Sequence, residues 1–457
     1  MEPSYPFGDL QLSIKKANLN LRSAFGTSHS STTTRTNAAI CIKYKDWEGY
    51  GEVGLPPKKK YCYLANYNDI EHFFTQYCAH LDTELKKHST SSKKSCKEWF
   101  TTQNGDYYKP FDKLGEFFSS LRRENPDEEI SFEEALPILL LKVLDVYKYV
   151  DAEDKDQEPE YKYAAICGIE MAILDLWGVM LQKPLYELIG IEAPRDKYAF
   201  YTAALNDDIA IIEQTAEFGL KYTNHLKIKL DHNIDRAIVI LERLLKVYSS
   251  KGREPCTWSI DANSAWNADI TLEFLQAVKE RLPEFFKYFY MAEQPFPLEK
   301  EEIFKNDAKW KQAKEEYEKE GVYIFADESV SKAESIPPIK DYIHGVNIKL
   351  EKAGGVRGGL KAYLVAKEFN LKIWLGCMVS TRLSCTCSAH LLSLSELGGD
   401  LDGDLLVGEE TQPFNGGFEW GNEGLVVLSN KPGIGLKPKE EGGFEKAAEV
   451  TKKFDSQ

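Results

Sequence analysis

Two lysines, Lys227 and Lys229, stand two residues apart in the apolar run HLKIKL. Lysine is rarely buried without a purpose. Strand alternation puts both ammonium groups on one face and Leu226, Ile228 and Leu230 on the other. Taken alone, such a pair is usually the solvated face of an edge strand, where lysines block unwanted pairing. The residues downstream point elsewhere. Asp261 in SIDAN, Glu293 in AEQP and Asp327 in ADES each close an apolar, strand-like run, and Lys349 in NIKLEKAGG closes another. Any one of these carboxylates could be a helix N-cap. Three converging on one mouth repel each other unless a cation offsets them. Oxygen ligands without His or Cys favour a hard ion, Mg²⁺ above all. Nearby positive charge disfavours the ammonium form and lowers a lysine's pKa toward the operating range. One lysine could then remove a proton from a bound substrate and another return it from the opposite face. The metal would hold the developing enediolate.

The elements that must position these groups begin at residue 198. Short apolar strands recur there (YAFYTAAL, HLKIKL, TWSIDAN, YFYMAEQP, VYIFADES, GVNIKL, KIWLGCMV), each followed by a helical stretch such as DRAIVILERLLKVY. Alternating strand and helix implies parallel strands with crossover helices. The chemical residues recur at roughly the 30-residue length of a βα unit. Seven such strands and an eighth near DLDGD predict a (β/α)8-type barrel, a TIM-like fold of the α/β class, with a separate α+β capping domain. In that barrel the second and sixth strands face each other across the axis, which sets Lys227 and Lys229 opposite Lys349. A doubly wound sheet is the alternative, but no glycine-rich phosphate turn follows the first strand.

The expected division is 1–195 as the cap, 196–405 as the barrel, and 406–457 as a tail returning to the cap. Within the cap, 10–54 reads as strands, with Gly49 and Gly51 marking a turn and polar GTSHSSTTTRTN forming a mobile loop. Charged segments near 83–110 and 151–160 read as solvated insertions without chemistry of their own. The stretch 163–181, YAAICGIEMAILDLWGVML, is the most membrane-like, but Glu170 and Asp175 within it argue for a buried helix.

The chain has 457 residues, enough for two domains and a large core. Its 43% hydrophobic and 28% charged content is ordinary for a globular protein. A formal net charge of −15 argues against nucleic acid or an anionic membrane as a partner. The nine cysteines are scattered, odd in number and without zinc spacing, so they read as reduced thiols. Cys385 and Cys387 are expected on a helix as small apolar residues. MEPSYPFGDLQL has no signal-peptide pattern, and a cytoplasmic location is expected by default.

The motifs KIK, DAN, EQP, ADES and NIKLEKAGG together resemble the muconate-lactonizing subgroup of the enolase superfamily. SAFGTS, GYGEVGLPP, MAILDLWGVMLQKPLYELIG and PGIG extend the resemblance over nearly the whole chain. It implies that Lys229 and Lys349 are the two proton-transfer bases, that Lys227 stabilises a substrate carboxylate, and that Asp261, Glu293 and Asp327 bind Mg²⁺. DLDGDLL resembles the Asp-x-Asp signature of the dipeptide epimerase family. Asp400 and Asp402 would there face the α-ammonium of a dipeptide; as an isolated motif, DLDGD would be a surface turn. Thr202 and Cys377 match positions near the substrate and could equally be ordinary barrel residues. The resemblance therefore implies an Mg²⁺-dependent dipeptide epimerase. Cycloisomerisation or an o-succinylbenzoate synthase-like dehydration is the alternative within the subgroup, and a non-catalytic binding barrel the alternative outside it. It leaves homo-oligomerisation open.

Two departures bear on specificity. Ser380 and Arg382 follow GCM where family members often carry a glutamate. Gly26 stands where the L-Ala-D/L-Glu enzymes carry a side-chain-binding arginine. Without that arginine, the second residue of the dipeptide is expected to be uncharged, small or hydrophobic. The expectation holds as long as Arg35, Arg382, Lys58, Lys59 and Lys60 stay in solvent.

Overall fold

A computed structural model describes residues 7–27, 31–58, 65–88, 93–147, 160–439 and 448–454. The first strands build an antiparallel cap sheet in the order Val450–Lys453, Leu10–Gly26, Ser31–Tyr44, Trp47–Val53. The chain's last strand thus pairs with its first, Gln11 opposite Lys453. Helices Tyr67–Lys86, Phe132–Tyr147 and Glu160–Leu181 pack beside this sheet.

The barrel is a parallel sheet that closes on itself. Its first strand, 198–203, comes in two pieces: Tyr198–Ala199 pairs with the eighth strand, Gly398–Asp400, and Tyr201–Ala203 with the second, Leu226–Lys229. Trp258–Asp261, Phe289–Glu293, Tyr323–Ala326, Gly345–Lys349 and Lys372–Gly376 follow in order as the third to seventh strands. The fold is a TIM-like barrel with an α+β cap, as the alternation of strand and helix predicts. HLKIKL is therefore no edge strand: it has a partner on each side. Phe200, Met291, Phe325 and Trp374 fill the barrel interior as an apolar cluster, which seals the floor beneath the chemistry.

Three features of the cap differ from the sequence reading. Ser31–Asn37 is not loop but the outer part of a long strand, with Arg35 and Asn37 turned inward and buried. Its threonines are β-branched and suit an extended backbone despite their polarity. Gly49 and Gly51 lie inside the third cap strand. The close approach of helix Glu160–Leu181 requires them: a Cβ would lie 2.3 Å from the Ala172 carbonyl oxygen at Gly49 and 1.9 Å from that of Gly168 at Gly51.

The segment 83–110 is packed rather than solvated. It holds helix Cys96–Phe100, whose Cys96, Trp99 and Phe100 are buried. Buried Lys142 pairs with Glu84 and donates to the carbonyl of Thr101 at 2.7 Å, tying the segment to the cap helices. Of the second predicted insertion, 151–159 lies outside the described residues.

Helix Lys162–Leu181 is long and apolar enough to cross a membrane but is largely buried against the rest of the protein. Its Glu170 accepts from Arg357 at 2.6 Å, and its Asp175 accepts from the backbone N–H groups of Tyr50 and Ile434. Cys385 and Cys387 are buried on helix Arg382–Ala389, and no disulfide joins the described cysteines.

Candidate active site

The barrel register gathers the singled-out residues at one end. Lys229 lies level with Asp261, and Asp261 with Glu293. Lys349 lies level with Gly376, and Gly376 with Asp400. These are C-terminal strand ends, where residues from different strands share one mouth. A cavity there is lined by Thr202, Lys227, Lys229, Asp327, Lys349, Cys377, Asp400 and Asp402, with Phe25, Thr27, Arg35, Pro56, Pro57 and Lys58 on the cap side. Asp261 and Glu293 lie just beneath it and are fully buried.

Every lysine of the set faces acid. Lys227 Nζ donates to Asp400 Oδ2 at 2.8 Å, with Glu293 Oε2 at 3.0 Å and Asp261 Oδ2 at 3.6 Å. Lys229 Nζ reaches Asp261 Oδ2 at 2.7 Å and Asn263 Oδ1 at 2.8 Å. Lys349 Nζ donates to Asp327 Oδ2 at 2.8 Å from the far side of the barrel. Lys352, one helical turn beyond Lys349, holds the other oxygen of Asp327.

These pairings set the electrostatics. Burial alone would raise Asp261 and Asp327 and lower Lys227 and Lys349. Instead Lys229 and Lys227 pull Asp261 down. Lys349 and Lys352 hold Asp327 well below the usual carboxylate range. Surrounding carboxylates drive Lys227 and Lys349 well above the usual lysine value. The lysine shift is thus opposite to the predicted one, because the charge meant to lower it must come from a bound cation and the protein's own carboxylates act the other way. Glu293 is pushed up to about 8, first by burial and then by Asp261, Asp400 and Asp327.

Among the described residues, no three His, Cys, Asp or Glu side chains close into a ready-made metal cluster, since the lysines hold Asp261 and Asp327. The donor set still suits a hard cation. Glu293 Oε2 is buried and meets only the Lys227 ammonium, at 3.0 Å, as an ion pair without hydrogen-bond geometry. Asn347 donates to its other oxygen at 2.7 Å. Asp261, Glu293 and Asp327 present only oxygen, from adjacent strands.

Asp400 and Asp402 differ in their partners. Asp400 is engaged by Lys227 and by the indole N–H of Trp374. Asp402 accepts the backbone N–H of Thr202 at 2.5 Å, and burial beside Asp400 pushes it up to about 6. The Cys377 thiol donates to the Asp400 carbonyl at 3.2 Å. Thr202 and Cys377 therefore position the eighth-strand acids as well as lining the cavity.

Four residues the sequence reading did not single out support the site. Asn263, with φ +44°, anchors Asp261 through its own N–H at 2.8 Å. Gln294 accepts the Asp327 N–H at 2.9 Å. Asn347 and Lys352 act on Glu293 and Asp327. All four lie inside the quoted motifs DAN, EQP and NIKLEK.

Of the cations that bear on specificity, Arg35 lines the cavity, and Lys58 lies at its rim, 3.2 Å from Asp69. Arg382 does not line it and pairs with Glu409. Lys59 and Lys60 lie outside the described residues. Gly26 cannot accept a side chain: a Cβ would sit 2.0 Å from the Leu205 carbonyl oxygen, whose N–H donates back to Gly26 at 3.1 Å. Gly26→Ala is expected to cost about 1–3 kcal/mol through that clash, read as a lowered urea midpoint. A variant as stable as the parent would show that the strand end yields freely.

Comparison with known proteins places these residues in context. The Enolase C-terminal domain-like family matches residues 210–442. An enolase superfamily member of Dictyostelium discoideum is 39% identical over 94% of this chain and 97% of its own length. An L-Ala-D/L-amino acid epimerase of a Maribacter species is 29% identical over 61% of this chain and 74% of its own. Among solved structures, a dipeptide epimerase from Cytophaga hutchinsonii, complexed with Mg and the dipeptide D-Ala-L-Val, aligns with a TM-score of 0.64. It covers 96% of this chain and 98% of its own at 16% identity, which speaks for the fold.

Proposed function

The chain belongs to the enolase superfamily, and from that premise we propose that it is an isomerase, an Mg²⁺-dependent dipeptide epimerase. The observation that carries the proposal is the placement of Lys229 and Lys349 on facing strands of one cavity that Asp402 also lines. Dipeptide epimerases among its relatives, and the Mg and dipeptide in a structural neighbour, support the substrate class and the metal.

In this reading Asp402, with Asp400 behind it, receives the α-ammonium of the dipeptide. Lys227 faces the substrate carboxylate. The lysine on one side, entering as the free amine, takes the proton from the α-carbon, and the electron pair of that C–H bond moves into the carboxylate. The ammonium on the other side delivers a proton to the opposite face, which inverts the centre. No atom is gained or lost apart from the exchanged hydrogen. Asp261, Glu293 and Asp327 would hold Mg²⁺, whose charge offsets that building on the substrate carboxylate and disfavours the ammonium form of the base. The apolar floor formed by Phe200, Met291, Phe325 and Trp374 keeps water from the charges above it.

The test is a dipeptide library incubated with enzyme and Mg²⁺ in D₂O. The expected result is deuterium at one α-carbon, with both epimers formed. Loss of water or ring closure would assign another reaction of the superfamily. Absence of turnover with every dipeptide would leave the epimerase proposal without support.

A further inference from the structure

The cap wall of the cavity holds a cation that no group among the described residues neutralises. Arg35 is 8% exposed and lines the cavity. Among the described residues its guanidinium donates from Nη1 to the Thr34 carbonyl at 3.0 Å, and its Nε is buried without a partner. Among the described residues, no carboxylate pairs with it. The adjoining segments 28–30 (SHS) and 59–64 (KKYCYL) contain no acid. Burial lowers its pKa to about 10, so the guanidinium stays charged at neutral pH.

A buried, unpaired guanidinium is costly unless an anion completes it. The planar fork of arginine matches a carboxylate in two parallel hydrogen bonds. Every other buried cation of the site has its acid already: Lys227 has Asp400, Lys229 has Asp261, and Lys349 and Lys352 have Asp327. The cap wall also stands close to the chemistry, since Lys229 Nζ lies 5.7 Å from the centre of the Phe25 ring. Phe25 pairs with Thr32 on the strand that carries Arg35. A substrate handled by Lys229 therefore meets this wall.

Resting on the epimerase reading, we infer that Arg35 binds a second carboxylate of the substrate, so that the preferred dipeptides carry an acidic side chain. This reverses the sequence expectation of an uncharged second residue. That expectation assumed an Arg35 in solvent, whereas the strand 31–44 turns it into the cavity.

The test compares L-Ala-L-Glu with its neutral isostere L-Ala-L-Gln on the unaltered protein with Mg²⁺, both as α-deuterium exchange and as Kd by calorimetry. The glutamate dipeptide is expected to win by tenfold or more in each. In Arg35→Met the ratio is expected to fall to near one. In Arg35→Lys it is expected to lie between, because lysine keeps the charge and loses the fork.

Equal or better handling of the glutamine dipeptide would overturn the inference, whether or not a variant folds. Exchange without acidic preference defeats the Arg35 clamp and leaves the epimerase reading standing. Preferential binding of the glutamate dipeptide without exchange defeats the reaction and leaves the clamp. Binding of neither defeats both.

Discussion

Alanine at Lys229 or at Lys349 is expected to abolish inversion in both directions, a loss of about 10³-fold or more, at the strong end for a proton-transferring side chain. The size follows from the geometry. Inversion needs an acceptor on one face of the α-carbon and a donor on the other, and the second and sixth strands offer one lysine set each. The two losses should differ in what they leave. With one base gone, the other can still remove and return hydrogen on its own face. Lys229→Ala should thus retain slow deuterium exchange in one epimer of the dipeptide, and Lys349→Ala in the other, with no interconversion in either. Proton NMR in D₂O reads the exchange, and chiral chromatography reads the inversion. A single alanine variant that interconverts epimers near the parent rate would rule out the two-base scheme. Lys227→Ala should be damaging in a different way. Its ammonium faces three carboxylates, so its loss leaves Asp400 and Glu293 unpaired in a buried site. It should impair both epimers alike.

Why some of this site is legible in the sequence, and some not, has a physical basis. Lys229, Asp261, Glu293, Asp327 and Lys349 each end an apolar run, and the βα period repeats. Any one of them has a structural reading, as a helix N-cap or an edge-strand lysine, but the whole set recurring at a βα period does not, so type and spacing single them out together. Asn263, Gln294, Asn347 and Lys352 sit one to three residues away. Their work is to hold a neighbour's oxygen, which depends on where the backbone turns after the strand: Asn263 and Gln294 both adopt positive φ. The cap is less legible for the same reason. Gly49 and Gly51 serve contact with a helix more than a hundred residues downstream, a non-local requirement that resembles a turn signal in one dimension. Arg35 was hidden by its setting, since SSTTTRT looks like solvated loop. Only strand pairing with Leu10–Gly26 reveals that alternation turns Arg35 inward. In 83–110 the charges outnumber the aromatic residues, yet Trp99 and Phe100 decide the packing.

Removing divalent metal is expected to abolish α-exchange outright, and Mg²⁺ to restore it. The argument is one of charge. Around the cavity, Asp261, Glu293, Asp327, Asp400 and Asp402 stand against Lys227, Lys229, Lys349 and Lys352. Proton abstraction requires one of those lysines as a neutral amine, and the electrons freed from the α-carbon add further negative charge to the substrate carboxylate. Both changes add negative charge to a buried site, where uncompensated charge costs several kcal/mol. A dication on Asp261, Glu293 and Asp327 supplies the missing charge at the place where those carboxylates crowd. Exchange of L-Ala-L-Glu after treatment with EDTA and dialysis should fall by at least ~10³-fold, the scale of losing several kcal/mol of electrostatic stabilisation. Calorimetric titration of the stripped protein with Mg²⁺ gives a second readout, independent of turnover. Binding should be present in the parent and lost in Glu293→Gln, which keeps the shape and removes the central anionic ligand. Full exchange in exhaustively chelated protein, or undiminished Mg²⁺ affinity in Glu293→Gln, would show that the three carboxylates serve only to pair with the lysines.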